Sequence, residues 1–294
     1  MQNIDLLLFV QPIVSTAVVV GAILLWRRRS GFRAIILLFS ALAYWTAIGA
    51  KAAISYLAAG PIESAYGATS LEYALFLGLQ TVFFEVGLAY AVSSIAFRRR
   101  SLSSGDAAPF GLSLAFWENG VLLGVLSIVD LAAIYFIIAS GSPIATQVYA
   151  TINATSPGLF SQPSVLLPGV LLGTLERISS TLAHLSWGVL CVLSVTSGKK
   201  KYLGYALPMG LLDSLVPFAP DDISLFEGVV FALSLLFLAV AAVSCRAEKK
   251  APPGGVSPPA PSGVHVPVNP ISSVGPAAGF RPAPDSTAGS ARSG

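Results

Sequence analysis

The stretch VLLPGVLLGTLERISSTLAHLSWGVLCVLSVTS, residues 165–197, decides the fold. A helix needs about 20 predominantly apolar residues to cross a bilayer, and this run exceeds that length. It nevertheless holds Glu176, Arg177 and His184, the last being the chain's only histidine ahead of its C-terminal segment. An unpaired ion in hydrocarbon costs roughly 3 kcal/mol or more, so such groups face a bundle interior or a wet cavity. Arg177 and His184 are seven apart and share a helical face, with Ser180 and Thr181 between them near that face. Glu176 and Arg177 are adjacent and diverge by about 100°, so their pairing does not follow from sequence alone.

The rest of the chain repeats the pattern. Hydrophobic residues make up 54% and charged residues only 11%, which excludes a soluble domain. Apolar runs at roughly 6–26, 34–58, 71–97, 110–140, 165–197, 202–218 and 225–245 read as about seven transmembrane helices. The expected fold is an all-α polytopic helix bundle over residues 1–250, in the cell membrane as a multi-pass protein. Pro208 inside the short sixth run permits a kink where freed backbone groups could meet water or substrate.

Basic clusters set the expected orientation. Arg27, Arg28, Arg29 and Arg33 follow the first run; Arg98, Arg99 and Arg100 the third; Lys199, Lys200 and Lys201 the fifth; Arg246, Lys249 and Lys250 the seventh. The opposite loops carry Glu63, Asp221 and Asp222 but no Lys or Arg. The positive-inside rule then puts the N-terminus outside and the C-terminus in the cytosol, and only seven spans satisfy every loop. The first run lacks a basic n-region and reads as a span rather than a cleaved signal. The net charge of +3 reflects these anchors. No basic groove or aromatic platform is present, so no nucleic-acid partner is expected.

Residues 251–294 are rich in Pro, Gly, Ser and Ala without apolar periodicity, and read as a disordered cytosolic tail in which His265 is a solvated side chain. Cys191 and Cys245 do not suggest a disulfide framework.

Measured from the cytosolic helix ends at 1.5 Å per residue, Glu85, Glu118, His184 and Asp213 lie about 18, 13, 20 and 16 Å deep. Four residues on four helices thus share one slab. Carboxylates with an imidazole are what water activation and proton transfer require. Glu176 and Arg177 lie about two turns further out, where Lys51 could snorkel or pair with Glu176. Glu72, Asp130 and Glu227 read as interhelical hydrogen-bond or ion-pair elements.

At these residues the chain resembles the PrsW and YhfC branches of the glutamic-type intramembrane proteases, relatives of the CAAX prenyl endopeptidases. The resemblance covers roughly residues 71–218. A Glu-Glu-x-x-Lys/Arg motif is matched in part by Phe83-Phe84-Glu85-Val86-Gly87-Leu88. A Gly-rich run ending in Glu-Asn is matched by Gly111-Leu-Ser-Leu-Ala-Phe-Trp-Glu118-Asn119. Glu176-Arg177 with His184 follows, and a closing His-x-x-x-Asp is half present as Met209-Gly-Leu-Leu-Asp213. Phe84, Leu88 and Met209 stand where the motifs have Glu, a basic residue and His.

The resemblance implies an endopeptidase acting on membrane-associated proteins or peptides. Glu118 or Glu85 would be the general base on the attacking water, and His184 would orient that water or protonate the leaving amine. Asn119 would donate to the oxyanion, Arg177 would hold a carboxylate ionised, and Asp213 would orient His184 or another donor; Glu176 completes the supporting set. This chemistry needs no cofactor. A metal version would take zinc on His184, Glu118 and Glu85. Two other classes fit the same residues: an inactive family member that binds a membrane partner, and a proton-coupled transporter. The second lacks a detectable inverted repeat.

Overall fold

A computed structural model of the chain describes residues 3–219 and 223–250. The tail expected at 251–294, with His265, and the loop residues Asp221 and Asp222 lie outside the described residues. Among the described residues every regular element is helical. The protein is an all-α polytopic membrane bundle.

Six helical stretches are long and apolar enough to cross a membrane: Leu6–Arg29, Ala34–Tyr66, Leu71–Arg98, Ser104–Ala139, Pro163–Ser197 and Ile223–Lys249. The first is α1 (Val10–Ser30) with a short 3-10 turn before it, and the second is α2 (Ala34–Tyr66). The third joins α3 (Leu71–Gln80) to α4 (Gly87–Arg98) through a π-helical stretch, Thr81–Val86. The fourth joins α5 (Ala107–Ala115) to α6 (Leu126–Ala139) through a second π-helical stretch, Phe116–Val125. A further helix, α7 (Pro143–Thr155), occupies what the sequence reads as a loop. Then come α8 (Pro163–Ser197), α9 (Lys201–Ala206) and α10 (Ile223–Lys250).

The run expected as the sixth span departs from a regular helix. After α9 it continues as a 3-10 helix over Leu207–Phe218, with Pro208 at its start and Pro217 near its end. Each proline removes a backbone donor, which disfavours regular α-helical pairing there. The Lys199 ammonium lies 2.8 Å from Glu248, so the start of α9 and the end of α10 lie close together. At about 1.5 Å per α residue and 2.0 Å per 3-10 residue, α9 and its extension reach roughly 33 Å, close to a hydrocarbon thickness.

α8 is the axis. Its apolar window is 72% buried, against 11–39% for the other five. The outer helices turn large apolar side chains such as Leu57, Phe83 and Phe136 outward, as a lipid-facing surface requires. α5 meets α8 almost backbone to backbone at Gly111 and Gly188. A Cβ on Gly111 would sit 2.4 Å from the Leu185 carbonyl oxygen, and one on Gly188 would sit 2.5 Å from the Gly111 Cα. Two glycines therefore bring Glu118, two turns beyond Gly111, beside His184, one turn before Gly188.

Candidate active site

Both central glutamates lie in π-helical stretches, Glu85 in 81–86 and Glu118 in 116–125. A π-helical turn pairs i with i+5, and the inserted residue rotates the downstream helix by about 100° relative to a straight one. Two separate helices are thus re-aimed at the segment of α8 that carries His184.

The three groups converge. The His184 Nε2 lies 2.7 Å from the Glu118 Oε2 and 3.1 Å from the Glu85 Oε2. On the other side of the ring, Nδ1 is 2.9 Å from the Ser180 carbonyl oxygen and 3.3 Å from the Ser180 Oγ. Facing a carbonyl acceptor, Nδ1 carries a hydrogen, which leaves Nε2 turned to the two carboxylates. The ring is further held by Trp187, with centroids 4.2 Å apart, and by Tyr44 at 6.4 Å.

Each carboxylate has its own support. The Glu118 Oε1 accepts from the Ser180 Oγ at 2.9 Å and lies 3.7 Å from the Arg177 Nη1. Asn119 donates to the Ser180 Oγ at 3.1 Å and accepts from Arg177 at 3.5 Å. Arg177 also pairs with Glu176. The Glu85 Oε1 binds Lys51, whose ammonium donates to the Thr81 Oγ1 at 2.8 Å and reaches Asp213 at 3.3 Å. Thr81 closes this second set by donating to Asp213.

These groups line one cavity of about 280 Å³, walled by α2, both π-helical stretches, α8, the 207–218 run and α10. Tyr44, Lys51, Glu85, Glu118, Glu176, Arg177, His184 and Asp213 all border it. Of the expected site residues, Asn119 alone does not. It is fully buried behind Ser180 and Arg177, which removes it from the reach of an oxyanion. Asp213 faces the cavity but binds Lys51 and Thr81 rather than His184. Lys51 pairs with Glu85 and Asp213 where the sequence suggested Glu176, because α2 lies against the 81–86 stretch.

Other contributors escaped the sequence reading. Ser180 links Glu118, Asn119 and His184, and its place between Arg177 and His184 was the only hint of this. Among the described residues the Tyr44 Oη and Trp187 Nε1 are buried without a hydrogen-bond partner, and both residues line the cavity. Glu227, expected as an interhelical hydrogen-bond or ion-pair element, lines the cavity, and its Oε2 has no hydrogen-bond partner among the described residues. Glu72 sits exposed in the first turn of α3, where a negative charge is favourable to a helix N-terminus.

The donor set suits a metal ion. One ligand atom each from Glu85, Glu118 and His184 lie within 4.8 Å of one another. Catalytic zinc sites use three protein ligands of this kind, at about 2.0–2.2 Å for nitrogen and carboxylate oxygen. The bond from the His184 Nδ1 to a backbone carbonyl is the outer contact that metal-ligating histidines commonly make.

A model of the YhfC intramembrane metalloprotease family matches residues 14–219. The chain belongs to that family, and is accordingly a multi-pass membrane protein of protease lineage. No curated protein and no solved structure matches it. The matched region takes in α2, which supplies Tyr44 and Lys51, and ends before α10.

Proposed function

We propose that this YhfC-family protein is an intramembrane endopeptidase for membrane-embedded proteins or peptides. In this reading Glu85, Glu118 and His184 hold one zinc ion. The convergence of those three side chains from three separate helices, at the wall of a polar cavity, carries the proposal. When bound, such a cation supplies Lewis acidity toward water and the carbonyl under attack.

The chain's own residues do the rest. Ser180 and Arg177 fix the second oxygen of Glu118, and Lys51 fixes that of Glu85, so neither carboxylate is free to swing. Asp213 is half exposed to the cavity and is not a ligand; it takes up and returns the proton of the attacking water. The Tyr44 hydroxyl, buried beside the His184 ring, donates to the developing oxyanion in the role first read for Asn119. Apolar walls from Leu122, Leu212 and Val216 limit water to the site itself.

The motif departures weigh less in three dimensions. Lys51, arriving from α2, supplies the positive charge beside Glu85 that Leu88 lacks. Met209 is 2% exposed within the apolar core and does not border the cavity, so it stands at no ligand position there. These two observations favour an active enzyme over an inactive binding protein.

Purified protein in lipid is expected to cleave a membrane-anchored peptide, with loss of activity on chelation and recovery with zinc. Cleavage that survives both Glu118→Gln and His184→Ala would sink the assignment. Partner binding without cleavage across a broad peptide library would favour the inactive reading.

The same proposal includes orientation in the cell membrane: seven crossings, with 201–218 as the sixth and the N-terminus outside. On intact cells, Tyr66→Cys should then label from outside and Arg100→Cys only after permeabilisation. The reverse pattern would invert the topology.

A further inference from the structure

α10 lies beyond the family match, yet it forms one wall of the cavity. Phe226, Glu227, Val230 and Ser234 border it, at spacings that put them on one helical face. Glu227 is 4% exposed, and among the described residues its Oε2 has no hydrogen-bond partner; the Ser234 Oγ on the same face has none either. A buried carboxylate oxygen without a donor is costly unless a partner comes from elsewhere.

The charges around the cavity do not balance. Among the described residues it is lined by five carboxylates, Glu85, Glu118, Glu176, Asp213 and Glu227, and by two permanent cations. Lys51 is engaged by Glu85, Asp213 and Thr81. The two terminal nitrogens of Arg177 are engaged by Glu176, Glu118 and Asn119, and its Nε has no hydrogen-bond partner among the described residues. A divalent ion shared by Glu85, Glu118 and His184 would still leave Glu227 unmatched, because it is not among the side chains that meet there.

We propose that Glu227 is a specificity residue that receives a basic side chain of the substrate, a lysine or arginine near the scissile bond. The inference rests on the protease reading for the meaning of "substrate", but its chemistry is local to α10.

Binding tests this separately from turnover. A set of Leu/Ala transmembrane peptides, each with a single lysine at successive positions, is titrated by fluorescence anisotropy into the full chain in lipid nanodiscs. Matched peptides carry norleucine or glutamate at the same positions. The wild type should bind the best-placed lysine peptide about tenfold or more tightly than its norleucine match, as a charge-assisted hydrogen bond implies. Glu227→Gln should erase that difference, and Glu227→Lys should shift the preference to the glutamate peptide. Equal binding of all three peptides by the wild type overturns the proposal, as does a lysine preference that persists in Glu227→Gln. If the variants fold poorly, the wild-type comparison alone still decides. Lysine-selective binding without any cleavage would sink the protease reading and keep this one; cleavage without lysine selectivity would do the reverse.

Discussion

The two ends of the cavity are built differently. At the inner end every charged group is matched: His184 against Glu118 and Glu85, Glu118 against Ser180 and Arg177, Glu85 against Lys51. The unmatched atoms there are donors, the Tyr44 Oη and the Trp187 Nε1. At the outer end the unmatched atoms among the described residues belong to charged groups, the Glu227 Oε2 and the Arg177 Nε. The inner end has spare hydrogen bonds for negative charge that develops during reaction. In the proposed reading the outer end offers the Glu227 carboxylate to a basic group that arrives with the substrate.

If that contrast is right, damage at the inner end should dominate. Glu118→Gln or His184→Ala should lower cleavage by at least about a thousandfold, within the range that acid–base and ligand groups contribute, as read from initial rates on a lipid-embedded peptide. Tyr44→Phe removes only one donor and should reduce kcat by about 10²–10³ with KM little changed. An equal loss in KM would make the hydroxyl a binding group instead.

Lys51→Met leaves Glu85 and Asp213 without their cation. It should cost about 3 kcal/mol in a denaturant titration in detergent, the low end for breaking a buried pair because Lys51 is 22% exposed. Lys51→Arg should recover part of that. Ser180→Ala should weaken zinc binding by about 10–100-fold in a competition titration while the fold is retained, as loss of an outer-shell contact does. The smallest effect belongs to the other end. Glu227→Gln should leave the unfolding midpoint within about 0.5 kcal/mol of wild type, since it breaks no ion pair. A large stability loss there would mean that Glu227 has a structural partner, and would erase the distinction between the two ends.

Much of this molecule was legible in its sequence, and the limits have physical causes. The long apolar runs with their basic flanks pointed to the helical membrane fold, because hydrocarbon tolerates little else. Glu85, Glu118 and His184 stood out because ionisable groups are rare at that depth. The pairing of Lys51 was not legible. It depends on azimuth, which the π-helical stretches at 81–86 and 116–125 reset without a compositional signature. The sixth apolar run was visible, but the 3-10 form of 207–218 depends on how Gly210 packs against Val82, where a Cβ would approach the Val82 nitrogen to 2.9 Å. Asn119 looked like an oxyanion donor because Asn next to a glutamate is chemically apt; burial behind Ser180 gives it a positioning place instead. Glu227 looked ordinary because sequence cannot reveal that a carboxylate lacks a partner.

Metal was the less favoured chemistry on sequence grounds, since a single histidine with no nearby cysteine is a sparse ligand set. Membership in a metalloprotease family and the meeting of three ligand atoms reverse that preference. The most direct test of the account is therefore metal content. Wild-type protein purified in detergent, loaded with zinc and passed through a desalting column should retain about one zinc per chain by mass spectrometry. His184→Ala and Glu118→Gln, folded by the same criteria, should retain almost none. Zinc that never binds, or that binds equally in both variants, would contradict the claim that these three residues form one metal-holding site.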